Sequence, residues 1–398
     1  MHESLQSFLL ILAISMIVAI LARQIRLPYT IGLVIVGVVI SLSEKTFHPL
    51  LSHDLIYYFL LPPLLFEASL FVPYHELKKD ILPISLLAIV GTTVAAIFIA
   101  FSAVTFFKWP FYPSIIFGSL IAATDPVAII AMFKDNKIVG RTSLLVEAES
   151  LLNDGMASIL FSLAIMITQN NDILTISDIV YQLIIIVIGG ILVGAVTGFL
   201  TILVTRIVDD HLVETVITLI AAYGAFFIAE KIHASGILST VIAGLVIGNY
   251  GILGKKTNAL SPKGRASIIS FWEISAFLAN SIIFLLLGIN VAAISFQGYS
   301  FSLIFSAIII CMIGRGLAVY PIGFLMLKAK SRIALSEQNI LWWGGLRGAL
   351  GIALALSLPE TIQMRDEIVV ITFCVAVFSI VFQGITMPLI LKRYGLMK

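Results

Sequence analysis

The stretch Glu149-Ser150-Leu151-Leu152-Asn153-Asp154-Gly155 places two carboxylates, a hydroxyl and an amide inside an apolar run from Ser143 to Ile167. A charge in the middle of a membrane-length helix costs at least ~2.5–3.5 kcal/mol even on lenient insertion scales. These residue types suit ion handling. Hard cations prefer carboxylate, hydroxyl and carbonyl oxygens, and no His or Cys is needed. A lone carboxylate at a bilayer midplane holds one proton or one monovalent cation but not both, and that competition is sufficient for exchange. Helical spacing sorts the motif. Ser150 and Asp154 are i,i+4 neighbours, as are Glu149 and Asn153. The five-residue step from Glu149 to Asp154 turns by about 140°, so one acid can be structural while the other faces a cavity.

Asp125 and Asp154 are joined at similar depth by Arg315 and Arg347. Counted from the ends of their apolar spans, all four fall roughly 16–23 Å from their own interface, near the bilayer midplane. Glu67 lies nearer one third of the depth. Four ionisable groups at one level on different spans point to one polar site. Arg315, in Gly314-Arg315-Gly316, is the natural partner of Glu149, because small flanking residues allow close backbone approach. A permanently charged Arg holds Glu149 ionised and out of the chemistry. Asp154 is then the exchangeable acid. Desolvation raises its pKa while half-helix N-termini and the arginines lower it, so the effects oppose and titration near physiological pH is an expectation.

Two spans carry helix breakers at the same depth. Ala123-Thr124-Asp125-Pro126 loses an N–H at Pro126, which also drives Asp125 out of α geometry. Trp343-Gly344-Gly345-Leu346-Arg347-Gly348 is the second break. Broken helices expose positive N-terminal and negative C-terminal half-helix ends. Asp125 is placed to neutralise the former and Arg347 the latter.

The elements that hold these residues follow from composition. Of 398 residues, 60% are hydrophobic and 12% charged, about half the ~25% charge of soluble domains. The fold expected is an all-α polytopic membrane protein, since a β-barrel would show short alternating segments. Thirteen transmembrane helices are expected, at about 4–22, 28–43, 54–71, 81–107, 113–133, 143–168, 174–205, 213–229, 237–249, 266–289, 300–327, 336–357 and 367–390. Spans 5 and 12 are the discontinuous pair. They lie seven apart, an odd offset that reverses direction, so an inverted repeat relates them. The net charge of +2 carries no suggestion of nucleic acid. Eighteen of the 24 Lys and Arg fall after odd-numbered spans or in the tail, against Lys45, Lys108, Lys231 and Arg365 on the other side. That bias puts the N-terminus outside and the C-terminus in the cytoplasm. Met1-His2-Glu3 lacks a signal peptide's basic region, so span 1 is expected to be retained. The absence of a transit peptide favours a bacterial-type plasma membrane. Cys311 and Cys374 lie in apolar spans, which argues against disulfides and zinc.

The pairing of Ala123-Thr124-Asp125-Pro126-Val127-Ala128 with the Glu149–Gly155 motif resembles the monovalent cation/proton antiporters, in the branch of NhaP-type and animal sodium/proton exchangers. Leu61-Pro62-Pro63-Leu64-Leu65-Phe66-Glu67 and Gly344-Gly345-Leu346-Arg347-Gly348-Ala349 extend the likeness over essentially the whole chain. The resemblance implies a cation and proton site at Asp154, with Ser150 and the Thr124 backbone supplying Na⁺ ligands and Asp125, Glu67 and Asn153 nearby. It implies a structural ion pair Glu149–Arg315 and a helix-crossing charge at Arg347. Asn153 would mark the branch that moves one charge for one. A core of spans at about 81–168 and 300–390 would move, elevator-fashion, against a dimerisation scaffold of about 4–71 and 174–289, usually in a homodimer. No cofactor is implied beyond the transported Na⁺ and H⁺, and the membrane lipids are the other contacts. Many members carry a long cytoplasmic tail, whereas this sequence stops just after Lys392-Arg393. Na⁺ or Li⁺ exchange for H⁺ is the expectation, with K⁺/H⁺ exchange the close alternative and an organic-solute symporter a further one. The protease readings fail on motif, since Asp154 sits in Asn-Asp-Gly and His233-Ala234-Ser235-Gly236 lacks the first Gly of Gly-x-Ser-Gly.

Overall fold

A computed structural model describes residues 2–24, 28–43, 51–169, 176–254, 259–293, 300–326 and 331–397. Among these residues every regular element is a helix and there is no strand. The basic residues Arg26, Lys45, Lys255, Lys256, Lys328, Lys330 and Lys398, which entered the charge bias, lie outside the described residues, as does the side chain of Arg23.

The chain begins with α1 (His2–Gln24) and α2 (Tyr29–Ser43). A π-helical turn over Leu55–Leu60 then runs into α3 (Leu61–Leu70). From Tyr74 to Phe107 the helix is continuous, with α4 (Tyr74–Ser85) and α5 (Thr92–Ser102) joined and ended by π-helical turns. Two half-helices follow, α6 (Phe111–Ile121) and α7 (Val127–Asp135), and then α8 (Arg141–Gln169), α9 (Ile176–Thr205), α10 (His211–Lys231) and α11 (Gly236–Ile247). The long α12 (Pro262–Ala293) and α13 (Phe301–Leu325) lead to a second pair of half-helices, α14 (Leu335–Trp343) and α15 (Ala349–Leu356). A last helix, Arg365–Arg393, comprises α16 (Arg365–Phe378), a π-helical turn and α17 (Gly384–Arg393). Among the described residues seven helices are long and apolar enough to cross a bilayer: Tyr74–Phe107, Arg141–Thr168, Ser177–Thr205, His211–Lys231, Pro262–Ala292, Phe301–Leu325 and Arg365–Arg393.

The boundaries show where basic residues sit. Lys78 and Lys79 belong to α4, not to a loop, because Tyr74–Asp80 forms an amphipathic first segment that kinks at Asp80 before Pro83. Lys263 and Arg265 open α12, Arg141 opens α8, and Lys392 and Arg393 close α17.

Packing divides the helices into two groups. In one, α2 and α1 lie on α12, α11 lies against α9, α10 and α3, and Phe66 stacks 4.5 Å from Trp272. In the other, α6 packs on α5 and α8, α13 on α5 and α14, and α15 on α16. The groups meet along α3, α8, α11, α12 and α16. Outward-facing apolar side chains such as Leu192, Val196 and Leu203 of α9 are exposed, as a surface solvated by hydrocarbon requires.

Candidate functional site

The two breaks meet. Between α6 and α7 the chain unwinds at Ala122–Pro126, and between α14 and α15 at Gly344–Gly348. They cross through one backbone bond, Asp125 N–H to Leu346 O, 2.8 Å. One carboxylate serves two helix starts: Asp125 Oδ1 accepts from Val127 N (3.0 Å) and Oδ2 from Ala349 N (3.4 Å). A negative charge between two half-helix N-termini is favourable. The opposite ends are met by Arg347, whose Nη1 donates to Ala122 O and Ala123 O, both at 3.1 Å, while Nη2 reaches Cys311 O at 3.5 Å. Its backbone N–H donates to Ser379 Oγ at 2.9 Å. Carbonyls freed by breaking a helix inside a membrane must find donors, and this guanidinium supplies them. A side chain at Gly348 would collide with the Asp125 carboxylate. Gly348→Ala is expected to displace Asp125 and cut exchange at least tenfold with the protein still inserted; flux and melting curves on the purified variant check this.

Next to the crossing lies a buried ion pair. Arg315 Nη1 and Nη2 grip Glu149 Oε1 and Oε2 at 2.7 and 2.8 Å, and both residues are under 5% exposed. Arg315 Nε and Nη2 also donate to Leu341 O, in the last turn of α14, at 3.2 and 3.1 Å. One side chain of α13 thus ties α8 to the end of a half-helix. A Cβ on Gly345 would sit 2.5 Å from Arg315 Nε, so only glycine lets the broken strand pass. Asn153 belongs to this pair: its Nδ2 donates to Glu149 Oε1 at 3.2 Å. Asn153, expected near the cation ligands, lies on Glu149 through the i,i+4 relation and is not among the residues that line the cavity.

The cavity itself, about 60 Å³, is walled by Thr124, Asp125, Ser150, Asp154 and Gly348 on one side and by Leu61, Leu64, Leu65 and Ala68 of α3 on the other. It has room for a few waters or a partly dehydrated ion. Ser150 Oγ donates to Thr124 O at 2.6 Å. Asp154 Oδ1 and Thr124 Oγ1 are buried and have no hydrogen-bond partner among the described residues. Buried polar atoms are nearly always bonded, so these two oxygens, on residues that line one cavity, are candidate ligands. Glu67 is not part of the wall. It pairs with Lys134 Nζ at 3.6 Å, because its position on α3 turns it toward the end of α7. Sequence reasoning missed Glu147, which does line the cavity. The signal was present: Glu147 and Asp154 are seven residues apart, two turns on one helix face. It also missed the Arg141 fork, which grips Asp80 at 2.8 Å and Glu337 at 2.8 Å and so ties α8 to α4 and α14.

Discontinuous helices crossing at charged side chains within a membrane-length bundle are the build of a secondary transporter. The profile described as sodium/hydrogen exchanger, transmembrane, matches residues 10–393. The chain is 38% identical to the Na⁺/H⁺ antiporter ApNhaP of Aphanothece halophytica over 99% of its own length and 75% of that protein. It is 34% identical to the Na⁺/H⁺ antiporter NhaH of Halobacillus dabanensis, with 99% of both chains covered. It superposes on the sodium proton antiporter MjNhaP1 of Methanocaldococcus jannaschii with a TM-score of 0.79, covering 100% of this chain and 99% of that one at 21% identity, which shows a shared fold. This chain belongs to the sodium/hydrogen exchanger family, among the NhaP-type antiporters.

Proposed function

We propose that this protein exchanges Na⁺ or Li⁺ for H⁺ across a membrane by alternating access, with Asp154 binding cation and proton competitively. The observation that carries the reading is the unpartnered, buried Asp154 Oδ1 in a cavity beside Ser150 and the helix crossing. A dehydrated monovalent cation needs several oxygens, and Asp154, Ser150 Oγ, Thr124 O and Thr124 Oγ1 are on hand. Asp125 and Arg347 hold the crossing, while Glu149 and Arg315 hold the frame. The family relatives named as Na⁺/H⁺ antiporters support sodium as the cargo.

On this reading the chain crosses the bilayer thirteen times, with its C-terminus in the cytoplasm and with α6–α7 and α14–α15 related as inverted repeats. The helices from Tyr74 to Gln169 and from Phe301 onward form the moving core. The rest form the scaffold and the contact surface of a homodimer. The division of helix packing into two groups supports this partition. One exchangeable carboxylate, with Asn153 bonded to Glu149 beside it, supports electroneutral one-for-one exchange. Vesicles on a supported membrane should then give no current that scales with flux. A current that reverses with the ion gradient would argue for another stoichiometry.

The assay uses proteoliposomes loaded with acid and a pH-sensitive dye. Na⁺ and Li⁺ should relieve the quench. Relief by K⁺ alone would reassign the cargo, and no response to any of the three would remove the exchange reading. Ser150→Ala deletes one oxygen and frees the Thr124 carbonyl; a loss of one good ligand should raise the apparent KM for Na⁺ about tenfold.

A further inference from the structure

Glu147 lies seven residues before Asp154 on α8, a rotation of two turns and a rise of about 10.5 Å. Glu147, Ser150, Leu151 and Asp154 all line the cavity, so the helix presents one stripe running from Glu147 to the buried acid. Glu147 is half-buried, and its carboxylate makes no hydrogen bond or ion pair among the described residues. Its charged neighbours are Lys134 of α7 and Glu67 of α3. Lys134 sits 3.6 Å from Glu67, too far for a tight hydrogen bond, is 63% exposed, and passes over the Phe71 ring at 5.9 Å. Glu273 of α12 adds a further negative charge toward Glu67. Glu147, at the cavity wall, and Glu67, just outside it, therefore share one ammonium as neighbour, and Glu273 adds negative charge beside Glu67. The surplus negative charge concentrates cations there. At the far end of the same cavity stands the buried, unpartnered Thr124 hydroxyl.

We propose that Glu147 is a second cation-receiving carboxylate on the access path to Asp154, and that the Lys134–Glu67 ion pair is the latch at the mouth of that path. The proposal rests on Asp154 being the carrier. The latch joins α3 to α7, which packs on α8 and α17, so it spans the boundary that alternating access must move. An ion pair at 3.6 Å whose lysine is exposed is weak and screened by salt, which suits an element that must open on every cycle. An arriving Na⁺ meets Glu67, which the Lys134 ammonium pairs, with Glu147 beside it. It displaces the ammonium, is handed to Glu147, and then passes one face of α8 to Ser150 and Asp154. The ammonium is thus a built-in competitor that neutralises the mouth when no cation is present.

The test is a Na⁺ titration of proton flux at fixed pH in proteoliposomes with wild type, Glu147→Gln, Glu147→Asp, Lys134→Gln and Asp154→Asn. Glu147→Gln should raise the apparent KM about tenfold, one lost charge contact, with the maximal rate within about twofold. Glu147→Asp should recover most of the affinity. Lys134→Gln should lower the apparent KM, because the resident competitor is gone. A merely structural Glu147 would instead lower maximal rate and melting temperature together at unchanged KM, and that result overturns the proposal. An apparent KM for Glu147→Gln within twofold of wild type overturns it too, as does a raised KM in Lys134→Gln. Should Glu147→Gln fail to insert, the opposite shifts in Glu147→Asp and Lys134→Gln decide. Residual exchange in Asp154→Asn removes the carrier reading itself. A dead Asp154→Asn beside an unshifted Glu147→Gln removes the access path alone.

Discussion

Replacing Asp154 by Asn is expected to reduce cation-driven proton flux to the level of empty vesicles, a loss of at least a hundredfold, while the protein still folds and inserts. The substitution keeps shape and volume and removes the charge. An amide neither takes up an exchangeable proton nor offsets the dehydration of a monovalent cation, so both halves of the cycle lose their carrier. The fold should tolerate the change because Asp154 Oδ1 has no partner in the resting protein. Nothing is orphaned when it goes, and an uncharged residue in the membrane is cheaper to hold than an ionised one. The melting temperature should therefore stay level or rise. Flux and melting on the same purified sample separate loss of function from loss of fold. Flux that survives in a folded Asp154→Asn protein would count against Asp154 as carrier.

The second large effect is on stability. Arg315→Ala leaves Glu149 buried without its counter-ion, and takes two donors from Leu341 O at the end of α14. Breaking one side of a buried ion pair costs about 3–5 kcal/mol. That is a large share of the ~5–15 kcal/mol that holds a typical domain together. Low yield and a melting temperature well below wild type are expected. Glu149→Gln should be milder, since Asn153 and Arg315 can both still bond the amide. Combining Glu149→Leu with Arg315→Met should recover part of the loss of Arg315→Ala, because no charge is then stranded. A well-expressed Arg315→Ala protein that melts with wild type would show that the pair does not hold the frame.

Much of this site is legible in sequence for a physical reason. Hydrocarbon makes every internal charge expensive, so Asp125, Glu149, Asp154, Arg315 and Arg347 stand out against an apolar background, and their depth follows from counting residues. Pro126 and Gly344–Gly348 announce the breaks because neither residue type sustains a helix. What sequence does not carry is azimuth. Asn153 and Asp154 are adjacent, yet a 100° step puts one on the Glu149–Arg315 pair and the other on the cavity. Glu67 lies one residue away from a cavity-lining position and turns to Lys134 instead. Glu147 was overlooked because it stands nearer the end of α8, where a charge costs less and draws less notice. The helix ends were blurred in the same way: Lys78 and Lys79 look like loop residues until the amphipathic start of α4 is seen. The Arg141 fork joins residues 61 and 196 positions away, and no local pattern could pair them.

The most direct measurement is the apparent KM for Na⁺ in proteoliposomes as a function of pH, for wild type. If one carboxylate holds either a proton or a cation, the KM rises by about tenfold for each pH unit on the acid side of the group's titration. The maximal rate at saturating Na⁺ stays constant over the same range. A KM that does not change with pH while the maximal rate does would mean that proton and cation bind at separate groups, and would contradict competition at Asp154.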